Sequence, residues 1–119
     1  MSVSKIDEKL FKEKIWDFDA SPKSFVFKGE VPAIVDFYAT WCGPCRMLSP
    51  VMESLSGRYE GKVDFYKVDT DEQERLCEVF GISSIPTLLL CSKDGRVEMT
   101  RGYQSEQALC SMIENTLRV

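Results

Sequence analysis

The sequence of 119 residues contains no histidine. This absence excludes Ser-His-Asp triads, Cys-His nucleophile pairs and every zinc site that needs an imidazole ligand. Basic residues are in the minority: 15 Lys and Arg stand against 19 Asp and Glu, which gives a net charge of −4. No basic cluster occurs along the chain, so binding to a nucleic-acid phosphate backbone is not expected.

Long hydrophobic runs are also missing. The longest, IPTLLLC at 85–91, is far too short to span a bilayer, so we expect no membrane insertion. The first ten residues, MSVSKIDEKL, are charged and polar and lack the apolar core of a secretory signal peptide. We therefore expect a cytoplasmic protein, or a periplasmic or otherwise exported one if a leader has been removed.

The composition is that of an ordinary globular protein, with 44% hydrophobic and 29% charged residues. A chain of this length fits one domain that buries its own core. We expect a charged lead-in with a weak helical pattern at 1–13, followed by the domain itself at 14–119. The five cysteines, an odd number, argue against a complete disulfide framework.

Strand and helix patterns alternate early in the chain, and a hairpin comes late. The expected strands are 15–18, 32–39, 63–68, 87–91 and 96–101, and the expected helices are 22–28, 42–59, 70–80 and 105–117. Ser21 and Pro22 would open the first of these helices, and a capping box from Thr70 to Gln73 would open the third. The order predicts an α/β fold with a central mixed five-stranded sheet flanked by helices on both faces.

The stretch ATWCGPCRM at 39–47 holds two cysteines three positions apart, at the junction of a predicted strand and a predicted helix. Cys42 would then occupy a helix N-terminus, where free backbone N–H groups and the helix dipole favour a thiolate. Cys45, one turn further on, would lie close enough to form a disulfide with it. This pattern predicts a redox-active pair.

Two other interpretations of the pair stay open at this point. Zinc normally takes four ligands, so a lone CxxC would have to share the ion with a second chain at a subunit interface. A purely structural disulfide more often joins elements that are distant in sequence than adjacent turns of one helix.

Three stretches resemble the thioredoxin family: VDFYATWCGPCRM at 35–47, GISSIPTLLL at 81–90 and DGRVEMTRGY at 94–103. The resemblance implies a thioredoxin fold and a protein-disulfide reductase that works by dithiol–disulfide exchange through Cys42 and Cys45. It also implies disulfide-containing protein substrates and an electron donor, either a flavin-containing, NADPH-dependent thioredoxin reductase or an equivalent membrane-fed donor. We expect no bound cofactor and a monomeric chain.

Asp36 interrupts an apolar strand six residues before Cys42. An ionised carboxylate buried there is costly, so Asp36 should have a raised pKa or a partner, unless it lies at the solvent-exposed end of the strand. The resemblance implies that Asp36 exchanges a proton with Cys45, through water. It also implies that Lys67 lies beside Asp36 and favours its ionised form, although Lys67 equally fits a lysine whose stem covers apolar surface.

The resemblance implies a cis bond between Ile85 and Pro86, packed against the cysteines. Such a bond would expose the backbone of Ile85 to an extended substrate strand, whereas a trans loop proline is the alternative. The family's flat apolar contact surface around the nucleophile corresponds here to Trp41, Gly43, Pro44, Ile85, Pro86 and Gly102. For Trp41 the alternative is packing in the core.

Two rival functions and three other cysteines complete the expectations. Oxidising or isomerising relatives of this fold commonly carry a histidine between the cysteines, where this chain has Gly43 and Pro44. A non-catalytic binding or assembly subunit would use the same contact surface without any exchange. The remaining cysteines are expected to pack in the interior: Cys77, Cys91 and Cys110. Partial exposure of Cys77 would allow its regulatory oxidation or dimerisation of the chain.

Overall fold

Five strands form one mixed sheet in the computed structural model, which describes residues 3–119. Along the chain the elements are β1 (Ser4–Lys5), α1 (Glu8–Lys14), β2 (Ala33–Tyr38), α2 (Gly43–Arg58), β3 (Asp64–Asp69), α3 (Glu74–Phe80), β4 (Thr87–Cys91), β5 (Val97–Arg101) and α4 (Glu106–Leu117). The strand order is β1-β3-β2-β4-β5; the first three strands run parallel, and β4 and β5 pair antiparallel. The predicted five-stranded mixed sheet is confirmed.

Helices cover both faces of this sheet, as expected. Side chains of a strand alternate between the two faces, so β2 contributes to two separate cores. Ile34 packs with the buried side chains of α2 and α4, whereas Val35 and Phe37 pack with those of α1 and α3. The same alternation puts Asp36 on the face of Ile34, under α2.

The predicted strand at 15–18 is wrong. Ile15 ends α1, and its N–H donates to the carbonyl of Phe11 at 2.8 Å. Ile15 and Phe18 are both buried, and this loop packing produces an apolar spacing that resembles a strand. The fifth strand is instead β1, whose two residues pair with Tyr66 and Lys67 of β3.

The lead-in carries both β1 and α1, so its weak helical pattern describes only part of it. Asp7 caps α1 by accepting the N–H of Leu10 at 2.9 Å, and Phe11 is fully buried in the core beneath α1. Residues 1 and 2 lie outside the described part of the chain. The division at residue 13 stays a prediction.

The predicted helix at 22–28 is also wrong, because aromatic packing holds this segment in an irregular path. The Phe25 and Phe27 rings stack at 6.2 Å, and Trp16 contacts Phe25 at 5.4 Å between ring centroids. The N–H of Lys28 donates to the carbonyl of Ile15 at 2.9 Å. The third predicted helix, α3, begins only at Glu74, because the Thr70 hydroxyl donates to the carbonyl of Tyr38 at 3.0 Å instead of capping a helix.

No helix within residues 3–119 has the length and apolar character needed to cross a membrane.

Candidate active site

The chain leaves β2 and enters α2 at Cys42, so the strand-to-helix junction predicted around the cysteine pair is present. Cys42 is the N-cap of α2 with an extended backbone (φ −88°, ψ 116°), and its sulfur accepts the N–H of Cys45 at 3.2 Å. Pro44 fits the first turn because an N–H there has no helical partner to lose. The N–H of Cys45 and the helix dipole both favour negative charge on the Cys42 sulfur.

The two cysteine sulfurs lie at disulfide-bonding distance, with their Cα atoms 5.2 Å apart. Both residues are buried, and the Cys42 sulfur lies 3.9 Å from the carbonyl oxygen of Ile85. Among residues 3–119 no group of three or more His, Cys, Asp or Glu is placed to hold a metal ion. The two sulfurs form a disulfide, so the pair is in its oxidised form.

Asp36 lies in the middle of the sheet and is only 4% exposed. Its Oδ1 atom has no hydrogen-bond partner within the described residues. Burial raises the pKa of Asp36 to about 7, and the Lys67 ammonium opposes this rise. The expectation of a buried carboxyl is confirmed, and the alternative of a solvent-exposed strand end is wrong.

Lys67 is the register partner of Asp36 on β3, so both side chains lie on the same face of the sheet. Its Nζ atom lies over the ring of Tyr38, 5.6 Å from the centroid. Lys67 is half-buried. The Lys67 charge thus acts on Asp36.

A cleft of about 250 Å³ opens beside the second cysteine, lined by Tyr38, Ala39, Thr40, Cys45, Arg46 and Ser49. The guanidinium of Arg46 donates to the Thr40 carbonyl at 3.1 Å at this cleft. A volume of this size holds several water molecules. Cys45 therefore lines a cleft large enough for water, although the residue itself is only 4% exposed.

The predicted cis bond between Ile85 and Pro86 is confirmed. Ile85 packs against Ala39 and both cysteines. The N–H of Gly102 donates to the carbonyl of Pro86 at 2.8 Å, which brings the end of β5 to the same place. The cis-proline segment thus contacts the cysteine pair through Ile85 and the end of β5 through Pro86.

Trp41 lies on the surface and is 66% exposed, so the alternative of core packing is wrong. Its indole N–H donates to Oδ2 of Asp71 at 2.8 Å. Asp71 was not predicted as a site residue. The parallel pairing of β2 and β3 could have indicated it, because residues that follow the carboxyl ends of paired parallel strands lie at one edge of the sheet.

Gly102 has a φ of +85°, in the left-handed region that side chains avoid. A Cβ there would meet open space, so its cost is conformational alone, about 1–2 kcal/mol. We expect Gly102→Ala to lower the free energy of unfolding by this amount in urea denaturation. Gly43→Ala is the control, since its Cβ also meets open space without a positive φ; an equal loss in both variants would contradict the argument.

The other three cysteines differ from Cys42 in their surroundings. Burial, followed by the carboxylates of Glu74 and Asp71, raises the pKa of the half-buried Cys77 thiol. Burial alone raises the pKa of Cys91 to about 12, and Cys110 is also buried. The thiolate form that reacts is therefore disfavoured at Cys77 and Cys91.

We expect iodoacetamide at pH 7 to modify Cys42 of the reduced, folded protein at least about ten times faster than Cys77, because alkylation follows the thiolate fraction. Peptide mass spectrometry after short labelling times measures the order. In urea the five cysteines should react at similar rates. Equal labelling of Cys77 and Cys42 in the folded protein would count against the helix-terminus argument.

Comparisons with known proteins agree on one family. A family model described as Thioredoxin matches residues 12–115. The thioredoxin of Borreliella burgdorferi is 43% identical over 115 residues, which cover 97% of each chain. The thioredoxin of Synechocystis sp. is 46% identical over 99 residues, covering 83% of this chain and 92% of that one. The crystal structure of chloroplastic thioredoxin z superimposes with a TM-score of 0.80 and 28% identity, covering 97% of this chain and 94% of that one.

Proposed function

Because the chain belongs to the thioredoxin family, and its Cys42–Cys45 pair makes it a thiol-disulfide oxidoreductase that reduces protein disulfides, we propose that Cys42 attacks the substrate and Cys45 completes the exchange. The observation that carries this assignment is the Cys42 sulfur, which accepts the N–H of Cys45 at 3.2 Å at the start of α2. This environment favours a thiolate at Cys42.

The exchange proceeds in two displacements. The Cys42 thiolate attacks one sulfur of the substrate disulfide; a Cys42–substrate bond forms, the substrate S–S bond breaks, and the second substrate sulfur leaves as a thiolate. The Cys45 thiolate then attacks the Cys42 sulfur, so that the Cys42–Cys45 disulfide forms and the first substrate sulfur leaves. Two electrons pass to the substrate, which takes up two protons.

Asp36 is proposed as the group that takes the proton from Cys45 before the second displacement. A carboxyl with a pKa of about 7 is matched to proton transfer near neutral pH. The unpartnered Oδ1 atom can accept a hydrogen bond from a water molecule. The cleft beside Cys45 has room for water at the thiol, although Asp36 itself does not line that cleft. Lys67 is proposed to tune this step, because its charge keeps the pKa of Asp36 below the value that burial alone would give.

The substrate is proposed to bind as an extended strand along the backbone of Ile85, next to the cis-proline Pro86. Such a strand would contact the apolar surface formed by Trp41, Gly43, Pro44, Ile85, Pro86 and Gly102. The exposure of Trp41 and the hydrogen bond between Gly102 and Pro86 support this surface. This surface discriminates little between substrate sequences, since backbone pairing supplies much of the contact.

An insulin-reduction assay tests the proposal most directly. With a reductase as electron donor, the protein should precipitate the insulin B chain, and Cys42→Ser should reduce the rate to the uncatalysed level. Because Ser is close to Cys in size, circular dichroism should report the same fold for both. A Cys42→Ser protein as active as the parent would refute the role of Cys42.

A redox titration against glutathione separates a reductase from an oxidant of the same fold. Gly43 and Pro44 supply no charge next to Cys42, so we expect a potential more reducing than that of the glutathione couple. A potential equal to or more oxidising than that couple would favour the oxidising alternative. The non-catalytic alternative predicts instead that a chain with serine at both Cys42 and Cys45 keeps its cellular role.

Membership of the family implies disulfide-containing substrates and a reductase that returns electrons to the cysteine pair. Beyond this, we propose a flavin-containing, NADPH-dependent thioredoxin reductase as the donor, a monomeric chain and a cytoplasmic location. An apolar contact surface that serves transient substrates fits a monomer. Sedimentation equilibrium of the oxidised protein measures the mass.

A further inference from the structure

The connection between β3 and α3 carries the hydrogen-bond partner of the exposed Trp41. We call residues 70–73 the Asp71 loop, because Asp71 accepts the indole N–H of Trp41 at 2.8 Å. The residue before the loop, Asp69, is buried. Its carboxylate accepts the N–H of Asp71 at 2.9 Å, and its carbonyl accepts two further N–H groups of the loop. The Asp71 loop is therefore closed on a buried side chain from within.

The helix that follows the loop has no side-chain cap of its own. Gln73 is the N-cap residue of α3, and its side chain forms no capping hydrogen bond. That side chain instead accepts the backbone N–H of Glu8, 65 positions earlier in the chain, at 3.1 Å. Lys5 of β1 also pairs with Glu72 of the loop at 2.9 Å. Because a local cap is missing, the end of the Asp71 loop is held by β1 and α1 instead.

Four charged side chains join α3 to the same N-terminal segment, and we call them the charge ring: Glu8, Lys12, Asp19 and Arg75. Arg75 of α3 pairs with Glu8 at 2.7 Å and with Asp19. Lys12 pairs with Glu8 at 3.0 Å and with Asp19. Both cations also lie over the ring of the buried Phe18, each 5.1 Å from its centroid. A single exposed ion pair contributes little, whereas a closed network with shared partners holds its side chains in place.

We propose that the N-terminal segment, residues 3–19, positions Trp41 for the substrate by holding the Asp71 loop through Lys5, Glu8 and the charge ring. This inference rests on the proposed function, because Trp41 belongs to the substrate contact surface. An exposed tryptophan that already keeps one orientation loses less conformational entropy when a substrate covers it. Lys5 and Arg75 are thus positioning residues that act on Trp41 through Asp71.

The orientation of Trp41 can be measured without any activity assay. Lys5→Gln combined with Arg75→Gln removes the cation from the Glu72 pair and one cation from the charge ring. The chain has two tryptophans, so a nitrogen–proton correlation spectrum shows two indole cross-peaks, and Asp71→Ala marks the position of a Trp41 indole without its partner. We expect the double variant to move the Trp41 cross-peak at least about a third of the way towards the Asp71→Ala position.

The kinetic expectation is a change in KM without a change in kcat. With the reductase in excess, Lys5→Gln/Arg75→Gln should raise the KM for insulin about two- to fivefold, because a mobile Trp41 must be ordered during binding. Reduction of bis(hydroxyethyl) disulfide, a neutral molecule too small to cover Trp41, should proceed at the parental rate. Lys5→Arg combined with Arg75→Lys keeps both charges and should stay close to the parent in both measurements.

Lys93→Gln combined with Arg96→Gln is the matched control, since it removes the same charge after β4, where Arg96 pairs with Asp94. An equal rise in the KM for insulin in both double variants would overturn the positioning. An unchanged KM or a parental Trp41 cross-peak in the first double variant would also overturn it, even if urea denaturation showed a loss of stability. If the parent protein failed to reduce insulin, the proposed function would be refuted, and the cross-peak would still decide whether Trp41 is positioned.

Discussion

Cys45→Ser is expected to abolish repeated turnover and to leave the protein covalently joined to its substrate through Cys42. The first displacement needs only the Cys42 thiolate, and the backbone N–H at position 45 that stabilises it is kept in the variant. The second displacement loses its nucleophile, so the mixed disulfide cannot be released from within. We expect the turnover rate to fall at least about a thousandfold.

Mass spectrometry under non-reducing conditions measures this adduct directly, one substrate per chain, at Cys42. Cys77→Ser is the control, since Cys77 is half-buried and lies on α3 away from the pair, and it should turn over like the parent. The reverse variant, Cys42→Ser, tests whether the two cysteines have been assigned to the correct roles. If Cys42→Ser formed an adduct through Cys45 as fast as Cys45→Ser does through Cys42, the assignment of the two roles would be wrong.

Much of this site could be predicted because its signals are local. A polar residue inside an apolar strand is visible in the sequence, and Asp36 is indeed buried without a partner on Oδ1. A strand followed by CxxC and a helix puts the first cysteine at a helix N-terminus, and Cys42 is the N-cap of α2. The cis geometry at Pro86 came from the family resemblance, because an X–Pro bond alone indicates only a low frequency of cis.

The parts that were missed depend on tertiary contacts. β1 has two residues, too few for any pattern, and it exists because β3 offers a free edge. The segment at 22–28 has start and stop residues typical of a helix. Phe25 and Phe27 nevertheless pack by ring stacking, with Val26 exposed between them. Asp71 follows β3, and only the pairing of β3 with β2 brings it to Trp41. In each case the deciding partner lies far away in sequence.

Asp36→Asn is expected to change the pH dependence of stability, because the pKa of Asp36 is raised from 3.8 to about 7 in the folded protein. Between these values the folded state keeps a proton that the unfolded chain has released, so the free energy of unfolding falls as the pH rises. Below the unfolded pKa both states are protonated and no penalty exists. The whole penalty is present once the pH exceeds the folded pKa.

The size of this penalty follows from the two pKa values. A difference of about three pH units, at about 1.4 kcal/mol each, corresponds to about 4 kcal/mol for the ionised carboxylate in its buried site. Asparagine has nearly the same shape and does not titrate. Relative to the parent, Asp36→Asn should therefore gain about this much stability between pH 4 and pH 8 and remain level above it.

Urea unfolding of the oxidised protein at intervals from pH 4 to pH 9 measures the difference between the two curves. Glu30→Gln removes an exposed carboxylate and is the control, for which we expect only a small change in the curve. A constant difference between Asp36→Asn and the parent across the range would show that Asp36 does not titrate between pH 4 and 7.

The proton-accepting role of Asp36 has its own measurement in Asp36→Asn: release of a preformed Cys42 adduct should slow, while the first attack on the substrate should not. A carboxyl that is merely buried would alter the stability curve and leave both rates unchanged, so the two measurements together separate burial from chemistry.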